Sequence, residues 1–303
     1  MKKIHNNLHY FNISKDNPEK PLDDFYVFDK KHSDLNKYIE NTKEIKNILI
    51  TIKILQDKKE KQSIINKYFL ELSKVINDYS NCSEFSCFVN ACDNTIREVR
   101  EELDLLKSIT KRYFENRKLN EIVPEEWVQA IIDSNSSRKK GSCGENKLIH
   151  ILEKNGFKKI DNWDDFLKED YCVVKFSKKF NLKNVREKLH IKIKTKKQGK
   201  TLDLIIKAST KIFICEAKHL NVLGGLQDKQ ISELIEILGL KESNGVSYIS
   251  FLDGRYSNLL LGSIRNKNKI STQSTEIEKC LKINPDNYWL NTAGFESFVS
   301  DLK

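Results

Sequence analysis

Residues 200–230 read KTLDLIIKASTKIFICEAKHLNVLGGLQDKQ, and the rest of the chain is interpreted around this stretch. Two of its segments, 201–208 and 211–220, are rich in Leu, Ile and Phe, which is typical of β-strands. The two residues between them, Ser209 and Thr210, are enough for the tight turn of a hairpin. A loop with paired glycines then leads into ISELIEIL. The stretch therefore predicts strand, turn, strand, loop and helix.

The turn length sets which side chains meet across the hairpin. Ala208 faces Lys211, and counting back along both strands places Asp203 opposite Glu216. Directly opposed residues share a face, with Cβ atoms roughly 5 Å apart. Strand alternation places Lys218 on that face as well, two residues beyond Glu216. The sequence thus predicts two carboxylates and one amine in a single cluster.

Two carboxylates this close on apolar strands repel each other, so the pair must take up a proton or a cation. Lys218 supplies one positive charge, and a divalent ion would neutralise the pair more completely. Ligands that are all oxygen suit Mg²⁺ or Mn²⁺. Such an ion polarises a phosphodiester and acidifies water, and Lys218 could orient that water or stabilise charge on the phosphate. The alternative is a cross-strand salt bridge at a sheet edge.

Asp203 followed by Glu216-Ala217-Lys218 resembles the PD-(D/E)xK nuclease superfamily, and the layout resembles a type II restriction endonuclease. The resemblance implies that Asp203 and Glu216 bind Mg²⁺ with help from the carbonyl of Ala217, and that Lys218 is catalytic. Leu202 stands where the motif's name has Pro. An acidic residue two before a lysine recurs elsewhere in the chain. Only Glu216 and Lys218 lie in an apolar strand with an acid on the strand before.

A second acidic residue fits the same resemblance. GENKLI at 144–149 opens a helix that runs through Lys154. Superfamily members often carry a glutamate on the helix before the sheet, where it serves a metal site, and Glu145 matches that place. The alternative is an acidic residue favoured in a first helical turn by the helix dipole.

The charge of the chain suggests a polyanionic partner. The formal net charge is +10, from 53 Lys and Arg against 43 Asp and Glu. Residues 190–194 alternate like a strand with a lysine-lined face that could contact DNA, and the alternative is an edge strand protected by lysines. The glycine loop lets the backbone approach a phosphate at a helix N-terminus, and the alternative is an ordinary helix entry. Residues 135–141 form a basic linker, and the alternative is a solvated loop. The predicted DNA-contact residues are Lys192, Lys194, Lys196, Lys197, Arg138, Lys139, Lys140, Gln227, Lys229, Gln230 and Arg255.

The rest of the chain predicts its organisation. Residues 1–32 are expected to form an irregular or short-strand arm, 33–80 two helices broken near 57–63, and 94–120 one long helix. Residues 1–120 would then be a mainly helical module that clamps DNA, dimerises or acts as a scaffold, and 121–303 the catalytic module. The fold class is α/β: a mixed α+β sheet core flanked by helices, restriction-endonuclease-like, with an N-terminal all-α domain. Further strands are expected at 171–176 and 245–252, and a short helical tail at 271–303.

No apolar run is long enough to cross a membrane, and the N-terminus has no secretory signal, so a cytoplasmic location is expected. The seven cysteines lack the paired spacing of a zinc site and are expected to be free thiols.

These features predict a Mg²⁺-dependent, sequence-specific double-stranded DNA endonuclease of the type II restriction class, in which Mn²⁺ substitutes. The resemblance implies a homodimer and a companion DNA methyltransferase that protects the same site. One alternative is a DNA repair or junction-resolving nuclease. Another is a non-catalytic basic nucleic-acid-binding protein, which predicts binding without metal. A helical partner-binding protein would leave the pairing of Asp203 with Glu216 unexplained.

Overall fold

The computed structural model describes residues 4–135, 143–193, 202–221, 224–242, 245–262 and 268–303. The chain divides into two compact units: residues 28–138, and residues 1–27 together with 139–303. The division at 120/121 into a DNA-clamping or dimerising module and a catalytic module stays a prediction, because it concerns which residues perform each task. No helix in the described ranges is both long and apolar enough to cross a membrane.

The described helices and strands follow one another along the chain. The helices are α1 (Asn7–Asp16), α2 (Leu35–Asp57), α3 (Gln62–Val75), α4 (Glu84–Ala91), α5 (Ile96–Glu101), α6 (Leu103–Asn116), α7 (Glu125–Ser134), α8 (Cys143–Lys154), α9 (Trp163–Lys168), α10 (Leu182–Leu189), α11 (Gly225–Leu238), α12 (Arg255–Leu260), α13 (Asn268–Ile283) and α14 (Thr292–Asp301). The strands are β1 (Lys158–Lys159), β2 (Tyr171–Lys175), β3 (Leu204–Ala208), β4 (Lys211–His219), β5 (Val246–Asp253) and β6 (Tyr288–Leu290).

The unit of residues 28–138 is helical and has its own core, built from α2 to α6. The predicted break near 57–63 is confirmed, because α2 ends at Asp57 and α3 begins at Gln62. The single long helix predicted over 94–120 is wrong. Glu102 has extended backbone angles and separates α5 from α6. Neither Gly nor Pro marks this break, so apolar periodicity alone continued the helix through it.

The irregular or short-strand arm predicted for residues 1–32 is also wrong, because this segment contains α1. The adjacent aromatics Tyr10 and Phe11 resemble a strand in sequence, but they enter two different core clusters from one helix. Asn7 fixes the helix in place by donating to the carbonyls of Leu281, Asn284 and Asn287 at 2.9 to 3.0 Å. Residues 4–27 therefore belong to the same compact unit as the sheet.

Among the described residues, the sheet has six strands in the order β1 to β6. The β2–β3 and β3–β4 pairs are antiparallel, and the β1–β2, β4–β5 and β5–β6 pairs are parallel. This mixed sheet with flanking helices confirms the predicted fold class. The strands expected at 171–176 and 245–252 are present as β2 and β5, whereas β6, three buried residues between two helices, was missed.

The lysine-lined strand predicted at 190–194 is wrong in the part that is described. His190 has a left-handed backbone (φ 55°) and ends α10. Ile191 and Ile193 are both buried, which produced the alternating pattern. Their segment is fixed by a side chain, since Glu242 accepts the backbone N–H groups of Lys192 and Ile193 at 2.9 and 2.7 Å.

Helices cover both faces of the sheet. On one face, Phe213 and Cys215 of β4 pack in a core with residues of α8 and α14. On the other face, Ile214 packs with Ile237 of α11. Strand β4 therefore lies between two helical layers, and the side chains at its carboxyl end alternate between them.

Candidate active site

The hairpin of β3 and β4 has the register predicted from the sequence. Ala208 pairs with Lys211, and the ladder continues to Leu204 opposite Cys215. One residue further back, the Asp203 N–H donates to the Cys215 carbonyl at 3.0 Å. The Asp203 carboxylate in turn accepts the Ala217 N–H at 2.7 Å, through Oδ2. Asp203 is thus fixed beside the Glu216–Ala217 segment.

Glu216 and Lys218 lie two residues apart on β4 and share one face. Glu216 is only 2% exposed, and Lys218 donates from Nζ to Glu216 Oε1 at 2.5 Å. Helix α11 covers this face. Ser250 of β5 pairs with Glu216 and donates to the carbonyl of Leu234, a residue of α11, at 2.7 Å. The two carboxylates and the amine predicted as one cluster are brought together at the carboxyl end of β4.

The electrostatics of this cluster follow from burial and mutual repulsion. Burial raises the pKa of Asp203 to about 6, and repulsion from Glu216 contributes to the rise. The Ala217 N–H and the Lys218 ammonium act in the opposite direction and only partly offset it. Burial by itself would lower the pKa of Lys218, but attraction to Glu216 outweighs it and the pKa is raised. The site therefore holds two carboxylates with a single firmly protonated amine among them.

Glu145 lies in the first turn of α8, and a lysine that sequence reasoning missed accompanies it. Lys175, the last residue of β2, places Nζ 2.9 Å from Glu145 Oε2 and 2.9 Å from Asn146 Oδ1. Glu145 is close enough to raise the pKa of Asp203 further. Lys175 has the signal that identified Lys218, a lysine at the end of an apolar strand, but no acidic neighbour in the sequence pointed to it.

Within the described ranges, no group of three or more His, Cys, Asp or Glu side chains is arranged to hold a metal ion. The acids instead form a close pair, Asp203 with Glu216, and a third member, Glu145, that is engaged by Lys175.

The opposite face of the sheet carries a buried polar network that was also missed. Lys147 on α8 is buried and donates to Asp253 at 2.9 Å, to Asp23 at 2.5 Å and to the Thr292 hydroxyl at 2.6 Å. Asp253 ends β5, whereas Asp23 comes from the N-terminal segment. These partners are far apart in sequence, so only the folded chain brings them together.

This network supports the end of β4. His219, the residue after Lys218, places Nδ1 2.7 Å from Asp253 Oδ1. The Tyr26 ring stacks on the His219 ring with centroids 3.5 Å apart, and its hydroxyl donates to Asp253 at 2.9 Å. A Cβ at Gly144 would lie 3.2 Å from that hydroxyl, so glycine allows α8 to pass close by. The network on the opposite face of the sheet therefore fixes the end of β4 that carries Lys218.

The predicted DNA-contact residues have different outcomes. Lys192 lies in the segment fixed by Glu242 and is exposed. Gln227, Lys229 and Gln230 lie in the first turns of α11, whose Glu233 also raises the pKa of Lys218. Arg255 is exposed at the start of α12. The remaining predicted contacts lie outside the described residues: Lys194, Lys196, Lys197, Arg138, Lys139 and Lys140.

A mixed six-stranded sheet flanked by helices, as found in the described residues, is consistent with a restriction-endonuclease-like fold. Residues 146–281 match the family model described as Tsp45I type II restriction enzyme. The matched segment is just under half of the chain and includes Asp203, Glu216 and Lys218, while Glu145 directly precedes it. This match supports a restriction-endonuclease-like nuclease, and the matched family implies site-specific deoxyribonuclease activity. No curated protein and no solved structure matches the chain.

Proposed function

We propose that this chain is a type II restriction endonuclease that hydrolyses double-stranded DNA at a specific sequence and requires Mg²⁺, for which Mn²⁺ substitutes. The observation that carries the proposal is the cluster of Asp203, Glu216 and Lys218 at the carboxyl end of β4. The family match over 146–281 supports it, because all three residues lie inside the matched segment.

Asp203 and Glu216 would hold the ion, together with the backbone carbonyl of Ala217. Glu145 would join them once its ion pair with Lys175 opens. The donor set fits, because the ligands are all oxygen and the half-buried Asp203 and the buried Glu216 repel each other. When bound, Mg²⁺ supplies the Lewis acidity that polarises the phosphodiester and acidifies water. The acid pair must be ionised to bind it, so binding competes with the raised proton affinity of Asp203.

Lys218 is assigned to charge stabilisation. Its pKa is raised, so it stays protonated at neutral pH and is unsuited to act as a general base. A protonated amine fixed at 2.5 Å from Glu216 can instead donate to the scissile phosphate and to the water that attacks it. Because the ammonium is already in place in the free protein, little reorganisation is needed when the phosphate arrives.

Three exposed cations in the compact unit that contains the sheet are proposed to contact the phosphate backbone: Lys192, Lys229 and Arg255. Gln227 and Gln230 are proposed to contact the DNA backbone or bases. Contacts to the phosphate backbone are also proposed for the basic residues at 138–140, 194, 196 and 197. Palindromic recognition sites favour two-fold symmetric enzymes, so we propose a homodimer. A companion methyltransferase would protect the host's own copies of the site.

The test is to incubate the purified full chain with unmethylated phage DNA and Mg²⁺ and to sequence the fragment ends. The proposal predicts discrete fragments whose ends share one short sequence, formed with Mg²⁺ or Mn²⁺ and abolished by EDTA. Intact linear DNA with cleavage only of branched substrates would indicate a repair or junction-resolving nuclease. Metal-independent binding with no cleavage of any substrate would indicate a binding protein and would overturn the proposal.

A further inference from the structure

Lys175 is held beside the candidate active site by the same strand pairing that holds Asp203. Its backbone pairs with Leu204 in the antiparallel β2–β3 ladder. The next residue, Phe176, donates its N–H to the carbonyl of Asp203 at 3.1 Å. A shift of Lys175 along the strand would therefore shift Asp203 as well, and the two residues enter the site as one rigid piece.

The side chain of Lys175 forms an ion pair with Glu145. Its ammonium lies 2.9 Å from Glu145 Oε2 and donates to Asn146 Oδ1 at 2.9 Å, so two anchoring contacts fix it to the first turn of α8. Lys175 and Glu145 are 32% and 25% exposed, which leaves both reachable from solvent. Engaged in this way, Glu145 does not combine with Asp203 and Glu216 into a three-acid group among the described residues.

A carboxylate bound to an ammonium is a poorer ligand for a divalent ion, because the two cations repel each other at short distance. A DNA phosphate offers the ammonium an equivalent charge-assisted partner. Entry of the ion and of the DNA would therefore favour the same exchange: Glu145 turns to the ion and Lys175 turns to the phosphate.

We propose that Lys175 is a positioning residue that withholds Glu145 from the metal site until DNA is bound, and then contacts the DNA phosphate. The inference rests on the proposed function and adds a role for a residue outside the motif. The exchange makes metal binding and DNA binding mutually reinforcing. The ion binds Glu145 and thereby frees Lys175 for the phosphate, and the phosphate binds Lys175 and thereby frees Glu145 for the ion.

The exchange predicts opposite effects on metal binding and on cleavage in Lys175→Met. Without DNA, loss of the competing ammonium should tighten Mn²⁺ binding by on the order of tenfold. With DNA, loss of the phosphate contact should slow single-turnover cleavage by on the order of tenfold or more. A purely structural role would weaken metal binding and cleavage together.

The matched control is Lys158→Met, which removes an exposed strand lysine of the same unit that is paired with Glu169 at 2.6 Å. It should leave both quantities unchanged. Glu145→Gln should weaken Mn²⁺ binding, and adding Lys175→Met to it should give no gain in affinity. Lys175→Gln, which keeps a polar contact for Asn146, serves as a second variant if Lys175→Met folds poorly.

The measurements are calorimetric titration of the full chain with Mn²⁺ in the absence of DNA and single-turnover cleavage with Mg²⁺. Unchanged or weaker Mn²⁺ binding in both Lys175 variants, with wild type active, would overturn the role of Lys175 and leave the proposed function standing. A wild-type chain that neither binds Mn²⁺ nor cleaves DNA would overturn both, so the two failures are distinguishable.

Discussion

Replacing Asp203 by Asn should stabilise the metal-free protein while abolishing its proposed activity. The pKa of Asp203 is raised by burial and by repulsion from Glu216, from an ordinary value of 3.8 to about 6. The folded protein therefore holds this proton more tightly than the unfolded chain does. Asn removes the charge and keeps an oxygen that can accept the Ala217 N–H.

The sign and size of the effect follow from linkage. Below about pH 3.8 both states are protonated and the raised pKa costs nothing; as pH rises to about 6, stability is lost, and above that the full penalty applies. Since one pKa unit corresponds to about 1.4 kcal/mol, the full penalty is about 3 kcal/mol. Desolvation of the new amide reduces the gain, so we expect Asp203→Asn to raise the free energy of unfolding by about 1–3 kcal/mol at pH 8. At pH 5 the gain should be about half as large.

The assay is urea denaturation in EDTA at pH 8 and pH 5, followed by tryptophan fluorescence. Asp24→Asn is the control, because it neutralises an exposed aspartate of the same unit and should change stability little at either pH. A variant no more stable than wild type at pH 8, or one with equal gains at both pH values, would show that burial and Glu216 place no penalty on this carboxylate.

Two further predictions concern the buried network and the ion. Lys147→Met should lower the free energy of unfolding by about 3–5 kcal/mol in the same assay, because it leaves Asp253 buried without its amine; a loss below about 1 kcal/mol would contradict this role. Ca²⁺ at a hundredfold excess over its Kd should stabilise the wild type by about 2.7 kcal/mol in thermal denaturation at pH 8. Glu216→Gln should abolish that stabilisation, and an equal Ca²⁺ effect in the variant would place the ion elsewhere.

The part of the site that could be predicted from sequence is local. Asp203, Glu216 and Lys218 lie within 16 residues of one another, and a two-residue turn with apolar alternation fixes their register. No tertiary information was needed to place them on one face. The same local logic gave the break between α2 and α3 and the existence of β2 and β5.

The missed parts depend on contacts between distant segments. Lys175 meets Glu145 only because β2 pairs with β3 and α8 lies against the sheet, and Lys147 joins an N-terminal aspartate to the end of β5. The apolar alternation at 190–194 predicted a strand wrongly, because its isoleucines are buried by tertiary packing and not by strand pairing. Ile191 and Ile193 alternate like a strand, yet the side chain of Glu242 satisfies the backbone there.

The proposed active site is tested most directly by the single-turnover cleavage rate of Lys218→Met on a labelled duplex that contains the mapped site. Lys211→Met, an exposed lysine at the other end of β4, is the matched control. We predict that Lys218→Met binds the duplex in Ca²⁺ like wild type but cleaves it with Mg²⁺ on the order of a hundredfold more slowly or worse, while Lys211→Met cleaves normally. Cleavage by Lys218→Met at the wild-type rate would show that the chemistry takes place elsewhere.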